Sequence, residues 1–569
     1  MSGDGLDSVA EVDKTLDTRL IQSSHVLESF GNAVTSKNSN SSRFGKFMKI
    51  YFSPARQRGG VGRLLGAAIE TYLLEKSRVA SQYSTERNYH VFYQLVSACV
   101  AGTAEQRGPS WLSLIPEDVK STLSAGVSYF SILRVHDEES YPDDLSKFIR
   151  LSDSLQTLDI ETNMVSEFWT ILCGILLLGN VTFVEADSPE GPVATVEVPE
   201  ICAAAAYFLG VDEDGLYRQV TERTMVTRGE LFTIHLTKYD AECARDAICK
   251  QIYEGLFLLL VRAINGGMAT EEIVNDTPYS HLRFIGVLDV FGFESFENND
   301  FEQLLINFAN ESLQDTFNVQ VFQAELRLFE EENIHCSVTN HPDNKECVEM
   351  IAGKPNGIFA HLDNICKLPK PSDEKFCEEL HTSLAKHRHF PQTHPKDKKN
   401  NFWVKHYAGN VKYTVWSSER NDAGKGLGET NQWVMKNNDS NPEGVLPLLR
   451  SSSYQCVQML YPESGDTRRL TKGESFANYK WGGDFSGKAD KQVANPPKNA
   501  KMTIASSFVQ SMAGLNNVLL STQCSFIRCI KPNAMMKAGL YDKTFVVGQI
   551  RCLGLVQVSV FLRMFLLLF

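Results

Sequence analysis

The segment Leu288–Glu294 constrains the fold of this chain more than any other stretch of the sequence. Residues 284–291 are apolar apart from Asp289, which predicts a strand buried on both faces of a sheet. A carboxylate at the end of such a strand is costly unless it faces a metal, a charge or hydrogen-bond donors. Gly292 then allows a ligand to approach the backbone closely, because no Cβ intervenes, and Glu294 supplies a second carboxylate.

A long helix is predicted directly after this turn. Asp300 and Gln303 have the spacing of a capping box, and no proline occurs between Pro278 and Pro342. Apolar residues recur at helical spacing, at Phe301, Leu304, Leu305 and Phe308. A strand, a turn with two carboxylates and a long helix could sense a phosphate and transmit its presence. An ordinary strand–turn–helix of a large α/β core explains this stretch alone at least as well.

Composition excludes several classes of protein. The length of 569 residues suggests more than one subdomain, and 43% hydrophobic with 22% charged residues is typical of a globular protein. The net charge of −13 argues against a general nucleic-acid binder. The first residues have neither the basic nor the apolar region of a signal peptide. Thirteen cysteines without metal-ligand spacing indicate reduced thiols in a cytosol.

Two further features, the apolar C-terminal segment and a group of histidines, have ordinary structural explanations. Residues Val558–Phe569 are strongly apolar, but they contain Arg563 and are too short to span a bilayer, so a tail-anchored membrane protein is a weak alternative. Four histidines lack the cysteine partners and spacing of a zinc site and are predicted to be solvated. They are His381, His387, His389 and His394.

Residues 36–43, Ser-Lys-Asn-Ser-Asn-Ser-Ser-Arg, crowd small hydroxyl and amide side chains before Phe44. A phosphate–magnesium loop uses such groups, because hydroxyls ligate Mg²⁺ while amides and an arginine bind oxyanions. A solvated serine-rich turn is the alternative that composition alone favours. Residues 48–52 alternate as a strand, and residues 72–79 and 86–95 predict a strand followed by a helix.

Four motifs occur in an order that resembles the motor domain of the myosin family. They are NSNSSRFGKF at 38–47, LLEKSRV at 73–79, ERNYHVFYQL at 86–95 and DVFGFE at 289–294. Kinesins share the Ser-Ser-Arg element but lack this Phe-Gly-Phe-Glu and are shorter. Later stretches are similar to the same family, at 168–183, 245–250, 357–363, 406–413, 526–533 and 549–554. Of these, 357–363 and 406–413 offer no chemistry beyond packing, and 526–533 is similar to a strand of the family.

The resemblance implies an α/β fold: a P-loop NTPase-like myosin motor core with a mostly parallel or mixed central sheet flanked by helices, its N-terminal part missing. It also implies a domain organisation. Residues 1–20 form a polar N-terminal segment, and residues 21–330 form a partial upper core that contains both switches and the relay helix, the long helix after the second switch. Residues 331–462 form a lower segment on the actin side, and residues 463–501 form a flexible basic loop. Residues 502–554 contain a core strand and the start of the helix that carries the family's reactive thiols, and residues 555–569 form a divergent apolar tail.

The resemblance implies ATP and Mg²⁺ as cofactors. Asn38 to Arg43 match the first switch of the family and Asp289 to Glu294 the second, so the implied nucleotide-binding positions are Asn38, Asn40, Ser41, Ser42, Asp289 and Gly292. Ser42 would ligate Mg²⁺, and Asp289 would hold the ion without a direct bond. Ser41 and the Gly292 amide would contact the γ-phosphate and the lytic water. Arg43 and Glu294 would form an ion pair that closes the pocket and orders that water.

An actin filament is the implied partner. Residues 463–501 contain eight Lys/Arg and five Asp/Glu. In the family the loop at this position contacts the acidic surface of actin. The resemblance therefore implies that Lys488, Lys491, Lys498 and Lys501 of this chain contact actin. Glu230 stands where the family carries an acidic or phosphorylatable residue. A solvated linker and a surface glutamate are the alternatives. Residues 482–489 nearly match a phosphate loop, but Ala489 has no hydroxyl for Mg²⁺.

One departure from the family matters most. A myosin carries the phosphate-binding loop G-E-S-G-A-G-K-T before the first switch, and this chain begins after that point. We therefore expect weak binding of the nucleotide's phosphate groups. We also expect an open edge in the central sheet, because the strand that leads into this loop is missing. The converter and lever arm are also expected to be missing, and light chains or calmodulin would bind only a longer form. The predicted function is a fragment of an ATP-driven motor of the cytoplasmic actin cytoskeleton. A non-hydrolysing actin-binding relic is the alternative.

Overall fold

The structure is a computed structural model, and every structural statement below concerns the residues that it describes. These are residues 15–36, 38–53, 64–83, 85–104, 113–134, 143–189, 191–227, 230–268, 282–323, 327, 331–333, 343–368, 370–415, 433–438, 444–461, 503–535 and 537–553. The chain divides into two compact units. The first comprises Met1–Val290 with Asn441–Gly487, and the second Phe291–Ser440 with Lys488–Phe569.

Helices dominate both units. In chain order the α-helices are α1 Leu16–Gly31, α2 His90–Ala104, α3 Glu117–Leu123, α4 Asp144–Thr157, α5 Thr162–Gly179, α6 Pro199–Leu209, α7 Glu213–Thr221, α8 Lys238–Met268, α9 Phe301–Phe317, α10 Lys345–Ala352, α11 Ile358–Cys366, α12 Asp373–Ser383, α13 Trp433–Asn438, α14 Val445–Arg450, α15 Gln455–Met459, α16 Ile504–Leu520 and α17 Lys543–Cys552.

The described strands form five small antiparallel sheets. They are β1 Asn32–Thr35, β2 Asn38–Ser42, β3 Gly45–Phe52, β4 Leu64–Tyr72, β5 Phe183–Ser188, β6 Gly191–Val196, β7 Glu222–Thr227, β8 Glu230–His235, β9 Arg283–Asp289, β10 Asn401–His406 and β11 Gly409–Thr414. Four sheets are two-stranded hairpins, and the fifth has the order β4-β3-β9. Every described pairing is antiparallel, so the mostly parallel or mixed arrangement predicted for the central sheet stays a prediction.

The core of the first unit forms around α5. Phe168 and Trp169 on this helix are fully buried, and the helix ends at Gly179. By length and composition α5 could cross a membrane, but 78% of it is buried inside the fold. Buried apolar area of this extent is the main favourable term in folding, which accounts for α5 as the central helix of a globular core.

The three-stranded sheet of the first unit connects the two motifs of greatest interest. Strand β3 alternates buried and half-buried residues along its whole length, as a strand with one covered face should. It pairs with β4 on one side and with β9 on the other. Lys46 near the start of β3 lies opposite Asp289 at the end of β9. The residues before β3 and after β9 therefore leave the sheet at the same end.

The prediction that the β9 segment is buried on both faces is wrong. The strand ends at Asp289, and most of its residues are exposed, including Asp289 itself. Ile285 is 60% exposed and Val287 is 51% exposed. The apolar sequence indicates that both faces suit burial, but burial requires neighbouring elements, and β9 is the edge strand of the described sheet.

In the second unit the predicted helix start is confirmed. Asp300 is the N-cap of α9, its side chain accepts the Glu302 amide, and the capping box with Gln303 is complete. The helix α16 buries Phe508 and Leu515 on one face. Residues 406–413 form the turn and second strand of the β10–β11 hairpin.

Two predictions for the second unit are corrected. Residues 526–533 do not form a strand; the backbone N–H of Lys531 donates to the Gln549 side chain at 2.9 Å, and that side chain donates back to the Lys531 carbonyl at 2.8 Å. An amide side chain thus replaces the partner strand. Of the four histidines predicted to be solvated, His381, His387 and His389 are half-buried. Nε2 of His381 bonds the Asn401 carbonyl at 2.9 Å.

Candidate functional site

The polar run of the first switch folds as a strand rather than as a turn. Strand β2 pairs antiparallel with β1, with Ser42 opposite Asn32 and Ser41 opposite Ala33. Its side chains are half-buried or exposed. The extended backbone places Asn38, Asn40 and Ser42 on one face of the strand and the residues between them on the other.

Asn40 on this strand is oriented by two neighbours. Its Oδ1 accepts from Asn32 Nδ2 at 3.1 Å and lies 3.1 Å from Nε2 of His90. Burial, with smaller contributions from the positive Arg87 and other cations, lowers the pKa of His90 to about 3. The imidazole is therefore neutral at physiological pH, and the contact assigns the proton to Nε2. Asn38 donates from Nδ2 to the Asn40 carbonyl at 3.3 Å.

Arg43 is the anchor of the first switch. Its side chain is 1% exposed, and its Nε donates to Glu75 Oε2 at 2.6 Å. Its Nη1 donates to the Ser41 hydroxyl at 3.2 Å. Backbone bonds hold it on both sides, from Arg43 N to the Gly31 carbonyl and from Glu75 N to the Arg43 carbonyl. The guanidinium is thus fixed before any ligand binds, which is the property that electrostatic catalysis requires.

Glu75 lies between two arginines. Besides Arg43, it accepts from Arg78 Nε at 2.7 Å, and Arg78 also pairs with Glu86 at 2.9 Å. Burial by itself would raise the pKa of Glu75, but the positive charges of Arg43 and Arg78 outweigh it and lower the pKa to about 2. Glu75 is therefore ionised at neutral pH. The sequence placed Glu75 in a family motif but did not predict its ion pairs with Arg43 and Arg78. The one indication in the sequence is the spacing of three residues between Glu75 and Arg78.

Ser42 and Asp289 emerge at the same end of the sheet. The Ser42 hydroxyl donates to the Phe44 carbonyl at 2.8 Å, which leaves the lone pairs of its oxygen available. Asp289 is exposed and has no ion-pair partner among the described residues. A hydroxyl and a carboxylate are oxygen donors of the kind that Mg²⁺ prefers. These residues therefore fit the cation that the resemblance implies.

Residues 291–294 of the second switch lie in the second unit, where α9 holds them. Gly292 is exposed, and a Cβ at its position would meet nothing within 4 Å. Asn307, fully buried on α9, accepts from the Glu294 amide at 2.8 Å and donates to the Glu294 carbonyl at 2.7 Å. Gln303 donates to Glu294 Oε2 at 3.3 Å. The turn is thus fixed to the helix, because a single amide side chain bonds both backbone groups of Glu294.

The Asn307 side chain also belongs to a buried polar network that was not predicted from the sequence. Asn307 Nδ2 also donates to the Tyr413 hydroxyl at 2.8 Å, which lies 2.8 Å from Nε2 of His406. His406 Nδ1 lies 3.0 Å from Glu311 Oε1. His406 and Glu311 are both fully buried. The prediction that the His-Tyr-Ala-Gly stretch offers only packing is therefore wrong, because its histidine and tyrosine connect the β10–β11 hairpin to α9.

Glu311 is the centre of this network. Its Oε1 also accepts from the Tyr407 amide at 2.8 Å and contacts Cys347 Sγ at 3.5 Å, and its Oε2 accepts from Asn344 at 2.6 Å. Glu311, Cys347 and His406 have potential metal-ligand atoms within 4.8 Å of one another. Those atoms already bond each other, so the contacts describe a closed structural network.

The predicted site residues therefore fall into two groups. Asn38, Asn40, Ser41, Ser42, Arg43 and Asp289 belong to the first unit, and Gly292 and Glu294 belong to the second. The sheet register brings the first switch and Asp289 to one end of β3 and β9. The ion pair between Arg43 and Glu294 stays a prediction.

The predicted actin-binding residues are described only in part. Glu230 begins β8 and lies opposite Thr227, at the tip of the β7–β8 hairpin. Phe232 on the same strand is 46% exposed. Lys488, Lys491, Lys498 and Lys501 lie outside the described residues.

Comparison with known proteins extends the resemblance to nearly the whole chain. A family model described as the myosin head (motor domain) matches residues 6–564. Myosin-I heavy chain of Dictyostelium discoideum is 32% identical over 544 residues, which is 95% of this chain and 20% of that protein. Myosin-6 of Arabidopsis thaliana is 32% identical over 547 residues, covering 96% of this chain and 31% of that protein.

A human relative gives the same result. Unconventional myosin-VI of Homo sapiens is 31% identical over 580 aligned residues, covering 95% of this chain and 40% of that protein. The chain thus spans between a fifth and two fifths of the length of these three relatives.

Proposed function

This chain belongs to the myosin motor-domain family, and from that premise we propose that it binds actin filaments and that Mg-ATP releases it from them. The observation that supports the proposal best is Arg43. This buried guanidinium is held between Glu75 and Ser41, at the end of the sheet where Asp289 leads into the second switch. A fixed cation beside hydroxyl groups and a carboxylate suits the outer phosphates of a nucleotide.

Residues of both switches have roles in this proposal. Ser42 would hold the Mg²⁺ ion that accompanies the nucleotide, and Asp289 would stabilise that ion electrostatically. Mg²⁺, when bound, neutralises charge on the phosphate oxygens. Ser41 and the Gly292 amide position the terminal phosphate and the attacking water. Arg43 and Glu294 close the pocket when both switches are in place.

The helix α9 carries the signal away from the site. Asn307 bonds both backbone groups of Glu294, so a change in the turn displaces the helix that follows it. Glu311 on that helix contacts the β10–β11 hairpin through His406. Occupancy of the nucleotide site would therefore reach the second unit through these hydrogen bonds. The finer features of the fold, a mixed central sheet in the full motor core, and a place in the cytoplasmic actin cytoskeleton belong to the same proposal.

Actin contact is assigned to two regions. The tip of the β7–β8 hairpin carries Glu230, and residues 463–501 carry a local excess of positive charge in an acidic chain. A basic loop accelerates association with an acidic surface and makes that association sensitive to salt. Lys488, Lys491, Lys498 and Lys501 are the residues proposed to contact actin.

Cosedimentation with actin filaments tests the proposal. We expect the chain to pellet with actin and the pelleted fraction to fall when Mg-ATP is added, because nucleotide binding changes the geometry of the switches. The Arg43→Ala variant should pellet equally with and without Mg-ATP. The matched control is Arg388→Ala, which removes an arginine that is 58% exposed and should retain release.

One observation favours a second candidate, the non-hydrolysing actin-binding relic. Ile285 and Val287 are exposed on the strand that leads into the second switch. If the unmodified chain pellets with actin to the same extent in the presence and absence of Mg-ATP, this candidate replaces the motor.

A further inference from the structure

Two donors meet on the side-chain oxygen of Asn40, in the middle of strand β2. Nδ2 of Asn32, at the start of β1, donates to Asn40 Oδ1 at 3.1 Å. Nε2 of His90, the first residue of α2, lies 3.1 Å from the same oxygen. The low pKa of His90 keeps its ring neutral, so the ring carries one proton, and this contact places that proton on Nε2. Both lone pairs of the Asn40 oxygen are therefore used.

This arrangement fixes which end of the Asn40 amide faces outward. A carboxamide has an acceptor end and a donor end, and a half turn about the last side-chain bond exchanges them. In the rotated amide the N–H groups of Asn40 would face the N–H groups of Asn32 and His90, and donors that meet without an acceptor are unfavourable. The amide nitrogen of Asn40 is therefore the end that can meet a ligand.

The residues around His90 hold it in place. Ala33 of β1 forms an antiparallel bridge with Tyr89, so the chain just before α2 runs beside the strand pair of the first switch. The Tyr89 ring is fully buried and stacks on Tyr253, with ring centroids 4.8 Å apart. His90 itself is only 7% exposed. A polar group that is supported in this way is oriented before a ligand binds.

The motif at 86–95 therefore does more than pack. The Tyr89 hydroxyl donates to the carbonyl of Glu75, whose carboxylate pairs with Arg43 at 2.6 Å. The next residue of the motif, His90, contacts Asn40. One short segment thus supports two side chains of the first switch, and both are predicted to lie at the nucleotide.

We propose that His90 is a positioning residue of the nucleotide site. By donating from Nε2 to Asn40 Oδ1, it holds the Asn40 amide so that its N–H groups donate to a phosphate oxygen of the bound nucleotide. Hydrogen bonds to charged acceptors are stronger than those between neutral groups, so a correctly oriented amide matters at this place. Asn40 lies on the same face of β2 as Ser42, the proposed ligand of Mg²⁺. This role of His90 rests on the proposed function.

Steady-state kinetics with Mg-ATP tests this role. His90→Phe keeps a ring but has no donor, and should raise KM about threefold to tenfold, because the Asn40 amide is no longer oriented. The value of kcat should change less than about twofold, since the lost contact is made equally in the ground state and in the transition state. His90→Gln retains an N–H in place of Nε2 and should restore KM to within about twofold of the unmodified chain.

The Asn40→Asp variant separates the two ends of the amide. Its carboxylate still accepts from Asn32 and His90, but it has no N–H and adds a negative charge beside the phosphates. KM should rise about thirtyfold or more, because a hydrogen bond to a charged group is lost and like charges repel. His394→Phe, which replaces an exposed histidine of the second unit, is the matched control and should leave KM and kcat unchanged.

Hydrogen exchange of the free chain tests the contact without nucleotide. Peptides that span residues 38–43 should exchange about threefold to tenfold faster in His90→Phe than in the unmodified chain, because β2 loses a bond to α2. His90→Gln should restore the slow exchange, and His394→Phe should have no effect.

Several results would overturn the proposal. A fall in kcat with an unchanged KM would show that His90 only stabilises the fold, and so would equal losses in His90→Phe and His90→Gln. An Asn40→Asp variant with the KM of the unmodified chain would show that the amide nitrogen meets no phosphate.

Failure of the proposed function gives a different result. A chain that binds no Mg-ATP contradicts that function, and the exchange measurement then decides alone whether His90 fixes Asn40. Faster exchange in His90→Phe supports the positioning of Asn40, and equal exchange in all variants rejects it.

Discussion

The Arg43→Ala variant is expected to lose Mg-ATP turnover by about a hundredfold or more. Removal of one preorganised donor at a site of developing charge typically costs about 10²–10³ in rate. Arg43 is preorganised because Glu75, Ser41 and two backbone bonds fix its position. The variant should nevertheless fold, because Glu75 keeps its pair with Arg78. Steady-state phosphate release, measured beside a urea unfolding curve, separates the two effects.

A lysine at the same position is the matched control. Arg43→Lys retains a positive charge near Glu75, so its unfolding midpoint should stay close to that of the unmodified chain. It loses the planar fork that reaches Glu75 and Ser41 together, so turnover should remain low. Unchanged turnover in both variants would show that Arg43 has only a structural role.

The Glu311→Ala variant is expected to show the largest loss of stability, about 3–5 kcal/mol of unfolding free energy. The substitution leaves His406, the Tyr407 amide and Asn344 without their shared acceptor in a fully buried environment. Breaking one side of a buried, hydrogen-bonded pair costs more than the pair contributes, because the remaining groups stay desolvated. Urea unfolding at neutral pH measures the change.

Two variants calibrate this result. Glu311→Gln should lose less, because its amide oxygen still accepts from Tyr407 and His406 while its amide nitrogen faces the Asn344 donor. Glu374→Ala removes a glutamate that is 57% exposed and pairs with Lys399, and should change the free energy by less than about 0.5 kcal/mol. If Glu311→Ala shifts the unfolding midpoint no more than Glu374→Ala does, the network is not a stabilising one.

Local features were predicted well from the sequence. The start of α9 follows from Asp300 and Gln303, since a capping box is satisfied within four residues and needs no distant partner. The strand β3 follows from a pattern of the same kind. The first switch and the turn after β9 were found because their residues stand together in short motifs.

Burial and long-range polar contacts were not predictable in the same way. Exposure of Ile285 depends on which elements cover β9, and an apolar pattern reports only that burial is tolerated. Glu311 and His406 are 95 residues apart in the chain, so neither indicates the other. Residues 526–533 failed as a strand because pairing depends on a neighbour; here Gln549 satisfies the backbone of Lys531 instead.

The proposed function depends most on the proposal that Arg43 and Glu294 act together on the nucleotide. The most direct test is a double-mutant cycle on Mg-ATP turnover with Arg43→Ala, Glu294→Ala and the double variant. If the two side chains act as one ion pair, the double variant loses no more turnover than the worse single variant. Losses that multiply in the double variant would show that the two residues act independently and would contradict the account.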